Sequence, residues 1–308
     1  MRKAWGMISR GLAIIGAGLL AVGAASGQAK RGASTVVEAS RPHHLVVDPV
    51  PELIADLPEL AKLRPLDDPS VLPDILANVG ERVASFGHDA VSVTAREEVS
   101  QQILDQKGEI QKKLESVFNY IILSEKGIGE EHFEEYRTDL KGNRSSQVGL
   151  EQGYMITKQF ATTCLHLDAG NQRDSTFRYL GEDVVDGADT LVIAFAQNAG
   201  ARMTFKVTRD DVAQDVLMQG LVWIGKENFQ ILRMRNSLLD PVPSVGLTEQ
   251  TTDVRFTEVR PEGMESTLWL PQQVAVLVTH DGQRLRNRHR YSDWRLFRVS
   301  IQIKPGPP

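Results

Sequence analysis

Seven histidines, a single cysteine and a run of alternating arginines are the residues of this 308-residue chain with the most obvious chemistry. His43-His44 lies in a proline-rich stretch, where a pair is more often solvated than ligating. His132 is followed by Glu134 and Glu135, but that spacing fits no zinc helix, and H-x-E without a cysteine pair is no deaminase signature. His166 stands two residues from Cys164, on the same face if the segment is a strand, yet no third ligand is in sight. No metal site is expected, and no cofactor. The nucleophile motifs are missing too: no G-x-S-x-G elbow, no S-x-x-K in a suitable context, no H-E-x-x-H. Gly127-Ile128-Gly129 lacks the rest of a dinucleotide loop and reads as a plain loop. The expectation is a protein that is not an enzyme. A hydrolase would need His166 or His289 gathered with a carboxylate in a cleft.

Arg284, Arg286, Arg288 and Arg290 form the most pointed local pattern. Strand alternation puts all four on one face and Leu285, Asn287, His289 and Tyr291 on the other. With Arg233 and Arg235 on a nearby strand they would make a cationic ridge. Such a ridge is either a solvated face paired with acidic neighbours or a dock for anionic head groups or an acidic partner.

Strands dominate the elements that must position these groups. Residues 219 to 303 run as strand after strand with short breaks: 219–225, 229–235, 252–259, 268–278 and 284–301, with 202–208 before them. Phe177 to Val185, the Asp186-Gly187 turn and Thr190 to Phe195 give the clearest hairpin. Ala90 to Leu104, Ile110 to Ser124 and Phe133 to Leu140 add three strands. Tyr154 to Leu167 has helical spacing and could pack across the sheet. One good helix precedes them all. Ile75, Leu76, Val79, Val83 and Phe86 recur at three- and four-residue steps, Pro73 suits the first turn, and Gly87 lies just past the end.

Four segments follow from this reading: a leader at 1–29, a proline-rich extension at 30–69, one domain at 70–303 and a tail at 304–308. Arg2, Lys3 and Arg10, an apolar stretch from Gly11 to Ala25, and small residues at Ser26, Gly27 and Ala29 have the order of a secretory signal peptide. Cys164 is the only cysteine, so neither a lipid anchor after the leader nor an intramolecular disulfide is available. The expected location is the periplasm or outside the cell. Net charge is −5, with 15 Lys+Arg against 12 Asp+Glu from Ala201 onward, which gives no case for nucleic acid.

Leu221-Val222-Trp223-Ile224, Gln230 to Arg235, Thr252 to Phe256 and Trp269-Leu270-Pro271 together resemble the second half of the outer-membrane lipoprotein-carrier (LolA-like) superfamily. The hairpin Phe177 to Phe195 occupies the matching middle position. The ending Asn287 to Trp294 resembles a secreted bacterial branch of unassigned function. The resemblance covers roughly residues 71 to 303 and rests on strand-and-turn patterns rather than a catalytic signature. It implies an α+β fold, mainly antiparallel β: a strongly curved, open half-barrel sheet covered by a few helices, with an apolar cavity between the layers. Acyl burial there is favourable at about 0.8 kcal/mol per methylene. Phe118, Tyr120, Phe195, Trp223, Phe256 and Trp269 are the lining expected from strand alternation, and the helix Pro73 to Phe86 the lid. The expected partner is a lipid or acylated protein, with Arg284 to Arg290 making peripheral contact with anionic groups. A scaffold with a filled core is the alternative.

Overall fold

The computed structural model describes residues 14–15, 43–89, 92–126, 131–144, 160–202, 204–209 and 212–297. Apart from Ile14–Ile15, the expected leader lies outside them, as do the tail and the first part of the 154–167 segment. Two helices, α1 (Val50–Asp56) and α2 (Leu72–Asp89), precede most of the strands. In chain order the strands are β1 (Arg64–Pro65), β2 (Val93–Leu104), β3 (Ile110–Lys126), β4 (Glu131–Thr138), β5 (Ser175–Val185) and β6 (Ala188–Gln197). They continue with β7 (Phe205–Arg209), β8 (Val212–Val216), β9 (Met218–Gly225), β10 (Ile231–Leu238), β11 (Leu247–Val259), β12 (Leu268–His280) and β13 (Gln283–Leu296).

Eleven of these strands form one antiparallel sheet in the order β1-β5-β6-β9-β10-β11-β12-β13-β2-β3-β4. The sheet is curved and does not close into a barrel, so the half-barrel expectation holds. Register shifts in β5, β9, β11 and β13 mark bulges, which bend strands and raise their twist. β7 and β8 pair as a hairpin outside this sheet, and the two-residue strand Ile14–Ile15 runs parallel beside β7. The turn between β5 and β6 has Asp186 at φ 50° and Gly187 at φ 87°, the left-handed pair that a two-residue hairpin needs.

Each face of the sheet carries its own apolar layer. On the inner face lie α2, through Ile75, Val79 and Val83, and the short 3-10 helix Thr162–Leu167. Beneath them sit Ile193, Phe195, Val222, Met234, Val254 and the valines 274, 276 and 278. The helical spacing read from 154–167 is realised, over its described part, as that 3-10 turn.

The proline-rich segment forms the outer layer. Leu45, Leu53, Leu60 and Leu63 are buried against Leu180, Val192, Leu221 and Trp223 on the opposite face. Burying a leucine stabilises by about 1.5–3 kcal/mol, so the described part of this segment, 43–66, is a packed strap rather than a loose linker. Prolines start its helical turns, Pro49 before α1 and Pro58 in the next turn. Gln219 holds it at one end, accepting from Leu45 N at 2.9 Å and donating to His43 O at 2.6 Å. At the other end β1 crosses Gly181, where a methyl group would stand 2.1 Å from Arg64 O, so only glycine admits the crossing.

Candidate functional site

α2 presents a single buried stripe to the inner layer and is held at its edges by side chains bonded to backbone. Arg82 Nε donates to Asn228 O at 2.9 Å, in the β9–β10 turn. Gln172 Nε2 donates to both Leu76 O and Leu167 O at 2.8 Å, tying α2 to the segment after the 3-10 helix. Gly80 permits this closeness, since a methyl there would lie 3.0 Å from Gln172 Nε2. The cover over the inner face is thus one helix and one short turn, clasped by two polar side chains.

Four of the six expected lining residues belong to this inner layer: Tyr120, Phe195 and Phe256, all buried, and Trp269, partly buried against it. Phe118 is buried on the same face of β3 as Tyr120, two residues away. Trp223 is elsewhere. Val222 belongs to the inner layer, so alternation turns Trp223 to the strap, where its Nε1 donates to Asp183 Oδ2 at 3.0 Å and Arg233 lies over its ring at 4.5 Å. The expectation that Trp223 lines the inner space is corrected by that placement. A glycine makes room for one of the others: a methyl at Gly220 would stand 2.5 Å from Phe195 Cε1.

A buried polar cluster also lies on the inner face, and only part of it was visible in the sequence. Glu97 on β2 is fully buried and receives Arg137 of β4 in a bidentate pair, His289 Nδ1 at 2.8 Å and Tyr291 OH at 2.8 Å. Burial alone would raise the Glu97 carboxyl; the charge of Arg137 and the bonds from His289 and Arg137 overcome it and hold it at about 2. Burial outweighs the Glu97 bond at His289 and lowers its pKa. Glu135 is the second centre. It accepts from Tyr120 OH, from Phe160 N at 2.9 Å, from Thr162 N at 2.8 Å and from Thr162 Oγ1 at 2.7 Å. It thereby pins the start of the 3-10 helix to β4. Glu97 was readable as an inward charge in the alternation Val93, Ala95, Glu97, Val99. Nothing in the sequence pairs it with Arg137, 40 residues on.

His289 therefore does have a carboxylate, the condition a hydrolase would have to meet, but the pair lies in the core and not in a cleft. Among the described residues no group of three His, Cys, Asp or Glu is placed to hold a metal. His166 stacks on Phe195 at 5.7 Å between ring centres, and burial lowers its pKa to about 4. Burial, and then the Glu135 charge, push the Cys164 thiol up to about 12, far from a reactive thiolate.

No family model and no curated protein matches the chain. Among the solved structures similar to it are two of low sequence identity. One is an outer-membrane lipoprotein-sorting protein domain from Vibrio parahaemolyticus, 12% identical, TM-score 0.42, covering 74% of this chain and 93% of that one. The other is a DUF1329 family protein from Desulfovibrio piger, 13% identical, TM-score 0.39, with the same coverage.

The arginine face divides in two. Near the strap, Arg233 pairs with Asp253, Arg235 with Glu59 at 2.6 Å, and Arg255 with Asp186 at 3.0 Å. On β13, Arg284 lies 3.7 Å from Glu249, and Arg286 donates to Gln102 at 2.7 Å. Burial, then the charges of Arg288 and Arg284, lower the pKa of Arg286. Arg288 and Arg290 are exposed and have no ion pair among the described residues. Among those residues, no helix is long and apolar enough to cross a membrane.

Proposed function

We propose that this protein is an exported, non-catalytic binder of a lipid or lipidated partner, which it takes up between the inner face of the sheet and α2. The observation that supports the reading is the inner layer itself. An apolar surface runs from β6 across β12, under a cover of one helix and one short turn held by Arg82 and Gln172. Lifting α2 while the 3-10 turn stays pinned to β4 by Glu135 breaks the Arg82 and Gln172 bonds to backbone, and the apolar surface it uncovers is recovered by acyl chains. The exposed guanidinium groups of Arg288 and Arg290 are the contacts assigned to anionic head groups, and the export reading keeps the periplasm or the medium as the site of action.

Native mass spectrometry and solvent extraction of the purified protein test this reading. Co-purifying acyl species, and displacement of a bound fluorescent fatty-acid probe, are the expected results. A Cys pair at Arg82 and Asn228, oxidised to tie α2 down, should slow probe uptake. Absence of acyl species together with absence of probe binding overturns the carrier reading. The result would favour a scaffold with a filled core, a reading supported by the complete burial of Tyr120 and Phe195 in this closed state.

A further inference from the structure

The three valines of β12 on the inner face are flanked by polar side chains that an apolar carrier has no use for. One register row runs Asn236 on β10, Thr252 on β11, Val276 on β12 and Asn287 on β13. Gln250 is one inward position along from Thr252, and His289 one inward position along from Asn287. Exposures are 7% for Asn236, 8% for Thr252, 4% for Gln250, 2% for Asn287 and 1% for His289. Three atoms of this belt have no hydrogen-bond partner among the described residues: Asn236 Oδ1, Gln250 Oε1 and His289 Nε2. Buried polar atoms are paired in the great majority of cases, because an unpaired one has lost its water and gained nothing in return.

All three atoms have the same chemical sense. Asn236 uses its amide nitrogen on Thr163 Oγ1 at 2.6 Å, which leaves the oxygen as its free group. Gln250 offers its oxygen. At His289 the Glu97 carboxylate can only accept, so Nδ1 carries the proton; burial keeps the ring neutral, and Nε2 is left as a lone-pair acceptor. Three buried acceptors left over ask for hydroxyl groups, which donate to them and can also accept from a neighbouring amide such as that of Gln250. A carboxylate or phosphate placed there would face those three lone pairs with no cationic side chain in the belt to offset its lost hydration. Gln250 and Asn236 stand diagonally across one strand pair, about 7–8 Å apart, on one side of the valines, and His289 stands on the other.

We infer that the ligand of the inner face is a neutral, hydroxyl-bearing amphiphile whose apolar part lies on Val274, Val276 and Val278 while its hydroxyls donate to Asn236, Gln250 and His289. This deepens the carrier reading and rests on it. It also separates two roles, since the arginines that suit anions lie on the outer face and the acceptors that suit hydroxyls lie within.

Competition on the full chain tests it, using 1-N-phenylnaphthylamine as an uncharged reporter and three C16 competitors: 1-monopalmitoylglycerol, palmitate and methyl palmitate. The glycerol ester should displace the reporter at about tenfold lower concentration than either other species, the equivalent of one to two added hydrogen bonds. Gln250→Leu should bring the glycerol ester to within about twofold of methyl palmitate, leave methyl palmitate unchanged, and raise the unfolding midpoint. Equal displacement by all three, or palmitate displacing best, overturns the hydroxyl inference and leaves the carrier reading standing. A Gln250→Leu variant that unfolds more easily yet keeps the preference shows an acceptor satisfied within the fold, and also overturns it. No reporter binding overturns both.

Discussion

Two groups of buried polar side chains share the inner face, and they are built in opposite ways. Around Glu97 each bond the carboxylate accepts is matched by a donor: Arg137, His289 and Tyr291 converge on it from two other strands. Along the Asn236–Gln250 belt, acceptors are left over. His289 belongs to both, with one ring nitrogen in each group. A saturated cluster fixes strand order, since β2, β4 and β13 must be in place before it exists. An unsaturated one lowers stability and has no structural gain to offset that. The contrast teaches that burial alone does not mark a functional polar group; the unmet bond does.

Breaking the saturated cluster should have the largest effect. Arg137→Ala strands a buried carboxylate and should lower stability by about 3–5 kcal/mol in urea unfolding, with Glu97→Gln in the same chain recovering part of the loss. Trp223→Ala should cost a similar 3–5 kcal/mol through its cavity under the strap, with probe binding on the inner face unchanged. If the variant lost the probe and kept its stability, the outer placement of Trp223 would be wrong.

Acidification sharpens the comparison. His166 has its pKa lowered to about 4 from the usual 6.5, so between these values the unfolded chain binds a proton that the folded chain does not. Stability should therefore fall as pH falls from about 6.5 to 4, with the lowered His289 adding to the slope. Glu97, held at about 2 against 4.5 unfolded, contributes fully above 4.5, and that contribution is lost as pH falls from 4.5 toward 2. His166→Phe should reduce the slope in the first window to the part His289 supplies and leave the second. Smaller still, Gln250→Leu should gain about 1 kcal/mol by removing an unmet acceptor. Smallest of all, Arg288→Ala should change stability by less than about 0.5 kcal/mol while weakening binding to anionic vesicles at low salt.

Strand periodicity made most of this sheet legible. The inward set Leu285, Asn287, His289 and Tyr291 was set apart from the arginines by alternation, and β13 keeps that alternation up to its bulge at Asp293. The helix read as Pro73 to Phe86 is α2, and the Asp186-Gly187 turn joins β5 to β6. β8 was missed because Val212 to Val216 is short and half polar, and β1 because Arg64-Pro65 is a strand only by crossing Gly181. Trp223 was misplaced for a different reason. Alternation says which residues share a face but not which face the helix will cover, and a strap of leucines between prolines gives the sheet a second buried side. The partners of Glu97 were out of reach, because pairing across 40 and 192 residues follows from topology rather than local pattern.

The strap also sets a timetable for folding. Leu45 finds its partner on Gln219, 174 residues later in the chain, and Trp223 and Leu221, which Leu53 and Leu60 cover, come from the same late strand. During synthesis, residues 43–66 can dock only in part, on β5 and β6, until β9 has emerged with Leu221 and Trp223. The β13–β2 seam, joining strands nearly 200 residues apart, closes later still. Loop closure over such spans slows folding, so the full sheet is completed only near the end of synthesis. Truncation before β9 should leave the strap open to proteases, whereas the full chain should protect it.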